Sequence, residues 1–444
     1  MFVLAVPVVL AELGWMAMGV VDTLMVGRLS PEAIGAVGIG SSLFMGVVIF
    51  AMGLLLGLDT LVSQAYGAGR LEECHRWLLH GIAMSLAVSI PTTLTLLALV
   101  RGLAGWGIDP VVLQLTQPYL NVLTWSVLPL LMYATFRRYL QGMGVVRPVM
   151  IALFIANVAN VAINWILIYG KLGAPAMGVR GSAWATVVSR IVMAGYLLGV
   201  ILQRERGRRP GLLETPLTIE WSRMTRLFAL GFPAAGQITL EVGVFAAATA
   251  LAGRLVPTAL AAHQIALNIA ACSFMVPLGV ASAGAVRVGH AVGRKDPIGA
   301  ERAGWTALFF GAGFMLCAAA SFVLFPRLLI GAFTHDAGVL ALGSSLLFVA
   351  AVFQLFDGIQ GVATGVLRGL GDTRTALMWN LFGHWCFGLP LGYTLCFVLG
   401  AGVIGLWWGL STGLIICGAA LSVVWARRIH ALKISMGVLP ARIP

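Results

Sequence analysis

The chain consists of long apolar stretches separated by short polar connections. A helix needs about 20 apolar residues to cross the hydrocarbon core of a bilayer, which is roughly 30 Å thick. Barrel strands would instead alternate apolar and polar residues over about ten positions. The pattern therefore predicts an all-α polytopic membrane protein. Its twelve predicted transmembrane helices cover approximately residues 2–26, 34–62, 78–101, 113–136, 147–169, 179–202, 228–252, 257–281, 303–325, 341–366, 377–399 and 402–425.

The two halves of the sequence repeat each other. GRLSPEAIGAVGI, beginning at Gly27, recurs as GRLVPTALAAHQI, beginning at Gly253, and the same offset of 226 residues relates Pro7 to Pro233. Each half holds six apolar stretches, so both copies should have the same orientation, with a pseudo-two-fold axis along the membrane normal. Repeated lobes with a polar site are typical of secondary transporters.

The repeat and the polar connections predict the domain organisation. We expect an N-lobe at 1–202, a linker at 203–226, a C-lobe at 227–426 and a tail at 427–444. If the N-terminus is cytoplasmic, 21 of the 28 basic residues lie on the cytoplasmic side and 6 on the opposite side. Because cytoplasmic loops are enriched in Lys and Arg, we expect both termini and the linker to be cytoplasmic, in the inner (plasma) membrane.

Composition and charge exclude several classes of function. Only 10% of the residues are charged and the mean hydropathy is +0.97, which leaves no room for a large water-soluble domain. The net charge of +12 follows from the cytoplasmic loops, so no nucleic-acid partner is expected. The sequence contains no GxxxxGK[ST] or HExxH motif. We expect neither an enzyme nor a bound cofactor.

Ionisable side chains within the predicted spans are the main functional signal. A charged side chain at the bilayer centre costs about 2.5–3.5 kcal/mol, so it is retained where it faces protein or water and serves a function. This argument selects Asp22, Glu241 and Asp357. Glu12, on the same predicted helix as Asp22, is a weaker candidate for lining its cavity.

Amide side chains accompany these acids. Asn157, Asn160 and Asn164 form a polar stripe on the fifth predicted helix. Such a stripe either binds an ion or joins helices through hydrogen bonds worth about 0.6 kcal/mol each. Polar packing and cavity lining are likewise both open for His263 with Gln264. Further amides for cavity lining are Gln237, Gln264, Gln354 and Gln360.

Several motifs together resemble the multidrug and toxic compound extrusion (MATE) family. They are VDTLMVGRL around Asp22, SQAYGAGR around Gly67, LEVGVFAAATALAGRL around Glu241 and LFDGIQGVATGVLRGLGDT around Asp357. The chain is more similar to the NorM-like branch than to the DinF-like branch. The latter has an aspartate near the end of the fifth-helix motif, where this chain has Asn164.

The resemblance implies an antiporter that exports organic cations in exchange for Na⁺ or H⁺ by alternating access. It implies an N-lobe site at Asp22 with Asn160 and Asn164, to which Thr186 would add an oxygen. The C-lobe pair would be Glu241 and Asp357, and Na⁺ could bind at either set. The expected partners are small organic cations and membrane lipid, and we expect a monomer.

Two alternatives remain at this point. A lipid-linked precursor flippase has the same two-lobe fold, but it would favour several basic residues in the cavity helices, where Arg190 is the one clear base. An integral membrane lipid-modifying enzyme would need a diphosphate-binding or nucleophilic cluster at the membrane surface. No such cluster is evident in the sequence.

Overall fold

The computed structural model describes residues 2–206, 211–212, 215–216 and 218–438. Parts of the predicted linker and of the predicted tail lie outside these residues. Within the described ranges the regular structure is helical and no strand occurs. The principal helices are α1 Phe2–Val26, α2 Pro31–Leu54, α3 Gly57–Gly67, α4 Leu71–Gly102, α5 Pro110–Thr124, α6 Val127–Gly142, α7 Arg147–Tyr169, α8 Val179–Glu205, α9 Trp221–Ala252, α10 Pro257–Gly293, α11 Pro297–Leu324, α12 Pro326–Gly331, α13 Ala337–Leu370, α14 Arg374–Asn380, α15 Leu389–Tyr393 and α16 Gly402–Ser435.

The prediction of an all-helical, multi-pass membrane protein is confirmed. Across the described residues, 11 helical segments are long and apolar enough to cross a bilayer, and a bent pair of helices brings the total to 12. That pair is α5 and α6, which meet at an angle of 47°. The sequence predicts one stretch over 113–136, whereas the structure breaks it at Trp125 and Ser126.

Local sequence explains where several helices begin. Ser30 accepts a hydrogen bond from the backbone N–H of Ala33 over 3.2 Å, which caps α2. Pro31 then occupies the first helical position, where the missing N–H costs nothing. Pro257 begins α10 in the same way. Because the two prolines are separated by the repeat offset of 226 residues, the sequence repeat is also a repeat of helix boundaries.

The chain divides into two compact units. The prediction places the boundary between lobes in the linker at 203–226, whereas the structure divides the chain within α1 and within α9. Each division lies two residues after a proline inside the helix, Pro7 in α1 and Pro233 in α9. Proline removes a backbone hydrogen bond and interrupts the regularity of a helix at this point. The first unit is Leu10–Ala235, and the second unit is Met1–Val9 with Gly236–Pro444.

Each unit has its own apolar core. The first unit buries Phe44, Tyr119 and Tyr133, and its helices approach closely where small residues meet. A Cβ atom at Gly53 would lie 2.5 Å from Cα of Ala235, so α2 and α9 need glycine at this contact. The second unit buries Trp407 almost completely. Cores of this kind hold the polar side chains of each unit in fixed positions.

The eleventh predicted stretch, 377–399, is not a regular α-helix. After α14 the backbone is π-helical over Leu381–Gly388, returns to α-helix in α15, and is π-helical again over Thr394–Val398. π-helical turns are rare and occur frequently at functional sites. Asn380, the last residue of α14, lies directly before the first of them.

A charge cluster joins the end of the linker to α4. The Glu220 carboxylate accepts hydrogen bonds from Arg223 Nε at 2.9 Å and from Arg76 at 3.2 Å. The backbone N–H of Glu220 donates to Nε2 of His80 over 2.9 Å. The hydrogen bond from Arg223 lowers the pKa of the Glu220 carboxyl below its ordinary value, and the charges of Arg223 and Arg76 lower it further.

Candidate functional site

In the first unit, the structure brings Asp22 together with all three of its predicted partners. Asn164 Nδ2 donates to Asp22 Oδ1 over 2.7 Å, and Asn160 Nδ2 donates to the same oxygen over 3.1 Å. Thr186 Oγ1 donates to Oδ2 over 2.9 Å. All four side chains are buried, with Asp22 6% exposed. Helices α1, α7 and α8 therefore combine to surround one carboxylate with neutral donors.

The amide groups of this cluster can rearrange around a cation. Asn164 also donates to Asn160 Oδ1 over 3.1 Å, but its own Oδ1 is buried without a hydrogen-bond partner. A half-turn of that amide would direct an oxygen, rather than an N–H group, towards Asp22. Such a turn is favourable only when a cation lies between the two oxygens. The donor set of carboxylate, amide and hydroxyl oxygens suits Na⁺, which is a hard cation.

Asn157 lies on the same predicted stripe but outside this cluster. Its Nδ2 donates to the backbone carbonyl of Gly14 over 2.9 Å and to that of Leu153 over 2.8 Å. It therefore joins α7 to α1, which is the helix-joining role that the sequence left open. Asn160 and Asn164 of the same stripe contact Asp22 instead.

Glu12, a candidate for lining the cavity of Asp22, is paired with an arginine in the structure. Its carboxylate forms an ion pair with the Arg137 guanidinium of α6, and both side chains are largely buried. Asp59 likewise pairs with Arg138 over 3.1 Å. Because arginine already neutralises these acids, they are poor binding sites for an added cation. Asp22 forms no ion pair with any residue that the structure describes.

The second unit places Glu241 at the centre of a second amide cluster. Gln360 Nε2 donates to Oε1 over 3.1 Å, and Asn380 Nδ2 donates to Oε2 over 3.4 Å. Gln237, one turn earlier on α9, also donates to Oε2. The oxygens Gln360 Oε1 and Asn380 Oδ1 are buried without hydrogen-bond partners. This cluster resembles that of Asp22, since neutral amides donate to a carboxylate and some of the amide oxygens have no hydrogen-bond partner.

Asn380 is the member of this cluster that sequence reasoning missed. It lies near the start of the predicted stretch 377–399, where a polar residue is expected to face the membrane surface. In the structure Asn380 lies one residue before the π-helical segment, and its side chain contacts Glu241. An asparagine within a predicted span was the signal available in the sequence.

Asp357, on α13, differs from the other two acids. Its side chain is 8% exposed, and no residue within the described part of the chain donates a hydrogen bond to it. It lies three residues before Gln360, so the two share a face of α13, and Gln360 reaches Glu241. A buried carboxylate without a donor is unstable as an anion, and it needs a proton or a cation.

The remaining predicted amides do not join these clusters. Gln354 donates to Ser273 on α10, and its Nε2 lies 3.5 Å from Met315 Sδ on α11. Gln264 is exposed on α10. His263 is buried and packs as a structural histidine, since Trp407 Nε1 donates to its Nδ1 over 2.9 Å.

A family model described as MatE matches the chain twice, over residues 7–166 and over residues 233–394. Both matches begin at a helix proline of the repeat. Curated relatives match nearly the whole chain. A probable multidrug resistance protein NorM of Mesorhizobium japonicum is 38% identical over 432 residues, covering 96% of this chain and 92% of that protein. The multidrug resistance protein NorM of Aliivibrio fischeri is 34% identical over 445 residues, covering 98% and 96%.

Solved structures share the fold. A crystal structure of a eukaryotic MATE transporter is 21% identical, with a TM-score of 0.86 and coverage of 98% of both chains. An outward-facing multidrug resistance MATE family transporter is 21% identical, with a TM-score of 0.87 and coverage of 97% of this chain and 95% of that one. Since the family model and the curated relatives both extend over most of the sequence, this chain belongs to the MATE family, whose members are membrane transporters and not enzymes.

Proposed function

We propose that this transporter exports organic cations, including drugs, in exchange for Na⁺ or H⁺ by alternating access. The observation that carries the proposal is a contrast among the acids within the helices. Glu12 and Asp59 are neutralised by arginines, whereas Asp22 and Glu241 are held by neutral amides and a hydroxyl. A carboxylate held in this way can bind an exchangeable cation, because no fixed positive charge occupies it.

The coupling follows from the cost of an unneutralised carboxylate inside the membrane. Asp22, and the pair of Glu241 with Asp357, would be most stable with a bound Na⁺ or proton. The driving force comes from the ion gradient, since each charge that crosses 100 mV supplies about 2.3 kcal/mol. Export requires that ion and drug prefer different states, because a ligand with equal affinity for both states shifts no equilibrium.

The substrate class is proposed from the charge of the sites. The curated relatives are described as multidrug resistance proteins. Acidic clusters within both units favour substrates with a positive charge. A flippase for diphosphate-linked lipids would need several basic groups, but the buried bases of the described residues are three arginines, Arg137, Arg190 and Arg368, and Arg137 is already paired with Glu12.

Orientation and oligomeric state belong to the same proposal. We propose that both termini and the 203–226 linker are cytoplasmic in the inner membrane, since 21 of the 28 basic residues then lie on the inside. A cysteine tag in the linker should resist a membrane-impermeant thiol reagent in intact cells and react after lysis. Labelling in intact cells would contradict this topology.

We propose that the monomer is the transporting unit.

Efflux from proteoliposomes tests the function. Purified protein is reconstituted with a fluorescent organic cation, and a Na⁺ gradient or a pH gradient is imposed separately. We expect one gradient to drive export against the dye concentration and the other to have a smaller effect. Asp22→Asn and Glu241→Gln should lower gradient-driven export at least tenfold.

A control variant should keep the wild-type rate. Glu301 on α11 pairs with Lys433 on α16, away from both clusters, so Glu301→Gln removes an acid without altering a proposed site. Export that responds to neither gradient in wild-type protein would contradict the proposed function. Equal loss of export in Glu301→Gln would show that the assay reports on folding rather than on ion coupling.

A further inference from the structure

Arg190 on α8 lies in an aromatic setting inside the first unit. Its guanidinium carbon lies 4.5 Å from the centroid of the Phe44 ring and 6.0 Å from that of Trp15. One nitrogen donates to Ser126 Oγ, at the break between α5 and α6. The side chain is 6% exposed. The guanidinium is thus held between two aromatic rings and a hydroxyl at the break between α5 and α6.

The charge of Arg190 is only partly satisfied there. Its Nε is buried without a hydrogen-bond partner, and no carboxylate within the described residues forms an ion pair with it. Cation–π contacts with the two rings offset only part of the cost of burying this charge. A buried guanidinium without a counter-ion is therefore held in a position that it can leave when a carboxylate becomes available.

A carboxylate is within reach of the same side chain. Arg190 lies four residues after Thr186, so the two share one face of α8. Thr186 donates directly to Asp22 Oδ2. A rotation of the long arginine side chain about its own bonds would therefore carry the guanidinium from the aromatic rings towards Asp22.

We propose that Arg190 is a tethered cation that alternates between the Trp15–Phe44 pair and the Asp22 carboxylate, and that the vacated aromatic pair binds the flat, delocalised cation of the exported drug. This inference rests on the proposed function and adds to it a site for the substrate. When the coupling ion occupies Asp22, Arg190 stays on the rings and excludes the drug. When the ion leaves, Arg190 neutralises Asp22 and the rings become free.

This arrangement would exchange the drug for the coupling ion without both binding to the same carboxylate. Drug binding moves Arg190 onto Asp22 and so opposes rebinding of the ion. Ion binding returns Arg190 to the rings and so opposes rebinding of the drug. The guanidinium is itself planar and delocalised, so the place it occupies has the geometry that an aromatic cation needs. The opposed affinities satisfy the thermodynamic condition for coupling.

A double-mutant cycle on drug binding tests this inference without reference to the coupling ion. The affinity of purified protein for ethidium is measured without a gradient for wild type, Asp22→Asn, Arg190→Gln and the double variant. Asp22→Asn removes the carboxylate to which Arg190 would move, so the guanidinium should stay on the rings. Ethidium binding should then weaken about tenfold, equivalent to about 1.4 kcal/mol. In the Arg190→Gln background the competitor is absent, so Asp22→Asn should change the affinity less than twofold.

Further variants separate this role from a structural one. Arg190→Met repeats the cycle with an apolar side chain of similar length, in case the glutamine variant folds poorly. Arg190→Lys keeps the charge, so the loss caused by Asp22→Asn should persist. Arg254 lies over the Phe397 ring at 5.3 Å on the second unit, and Arg254→Gln should leave the effect of Asp22→Asn unchanged.

The outcomes distinguish failure of the Arg190 inference from failure of the proposed transport function. A tenfold loss from Asp22→Asn in every Arg190 background would mean that Asp22 acts on the drug directly, and it would overturn the role of Arg190 alone. Unchanged affinity in Phe44→Leu would overturn the aromatic site. If wild-type protein binds no organic cation and neither gradient drives export, the proposed function itself fails.

Discussion

Asn164 donates to Asp22 over 2.7 Å, although 142 residues separate the two side chains in sequence. Both are buried, and Asn164 supplies the shortest hydrogen bond that the carboxylate accepts from the three surrounding groups. This contact links α7 to α1 within the first unit. It also leaves an amide oxygen free to take part in cation binding.

The first prediction tests whether Asn164 contributes to ion binding, in contrast to Asn157, which joins two helices. Asn164→Ala removes a hydrogen bond from Asp22, so it should raise the ion concentration that gives half-maximal export at least fivefold. Asn157→Ala is the matched control, because it removes a hydrogen bond to the backbone of α1 but none to Asp22. Each variant should lose about 1 kcal/mol of stability. An unaltered half-saturating ion concentration in Asn164→Ala would show that the whole stripe only joins helices.

The second prediction compares the two acids of the second unit. Glu241→Gln places an amide among three donors, so it should destabilise the protein by about 1–3 kcal/mol. Asp357→Asn breaks no hydrogen bond and should leave the melting temperature unchanged or higher. Both variants should lose ion-driven export. Thermal unfolding in detergent and proteoliposome efflux measure the two effects, and wild-type export by Asp357→Asn would exclude it from the site.

The third prediction concerns the buried ion pair of Glu12 and Arg137. Glu12→Gln leaves the Arg137 guanidinium buried without a counter-ion, so it should lower stability by about 3–5 kcal/mol. Replacing both, as Glu12→Gln with Arg137→Met, should recover much of that loss. The recovered protein should keep the wild-type ion dependence of export. A changed ion dependence in the double variant would place Glu12 in the ion site after all.

The fourth prediction follows from the lowered pKa of Glu220. The carboxyl has a lower pKa in the folded protein than its ordinary value of 4.5, because Arg223 and Arg76 favour its charged form. Its contribution to stability is therefore present above pH 4.5 and is lost as the pH falls through the lower, folded value. Glu220→Gln should melt below wild type at pH 7, and the difference should narrow towards pH 3. A constant difference would show that the charge of Glu220 contributes nothing.

Much of the architecture follows from the sequence by itself. Crossing a bilayer requires long apolar helices, so hydrophobic length predicts the spans. The repeat from Gly27 to Gly253 predicts equivalent segments 226 residues apart, and the helix starts at Pro31 and Pro257 have this spacing. The cost of placing an acid in the membrane also makes Asp22, Glu241 and Asp357 identifiable. These inferences depend on one residue or one segment at a time.

Only the tertiary structure decided which partners each polar side chain has. Glu12 and Asp22 are both acids of α1, but one meets an arginine of α6 and the other meets amides of α7 and a hydroxyl of α8. Asn380 donates to Glu241, 139 residues away in sequence, and no hydrophobic pattern specifies that contact. Whether a buried carboxylate is neutralised or exchangeable depends on contacts between distant segments, and packing alone sets those contacts.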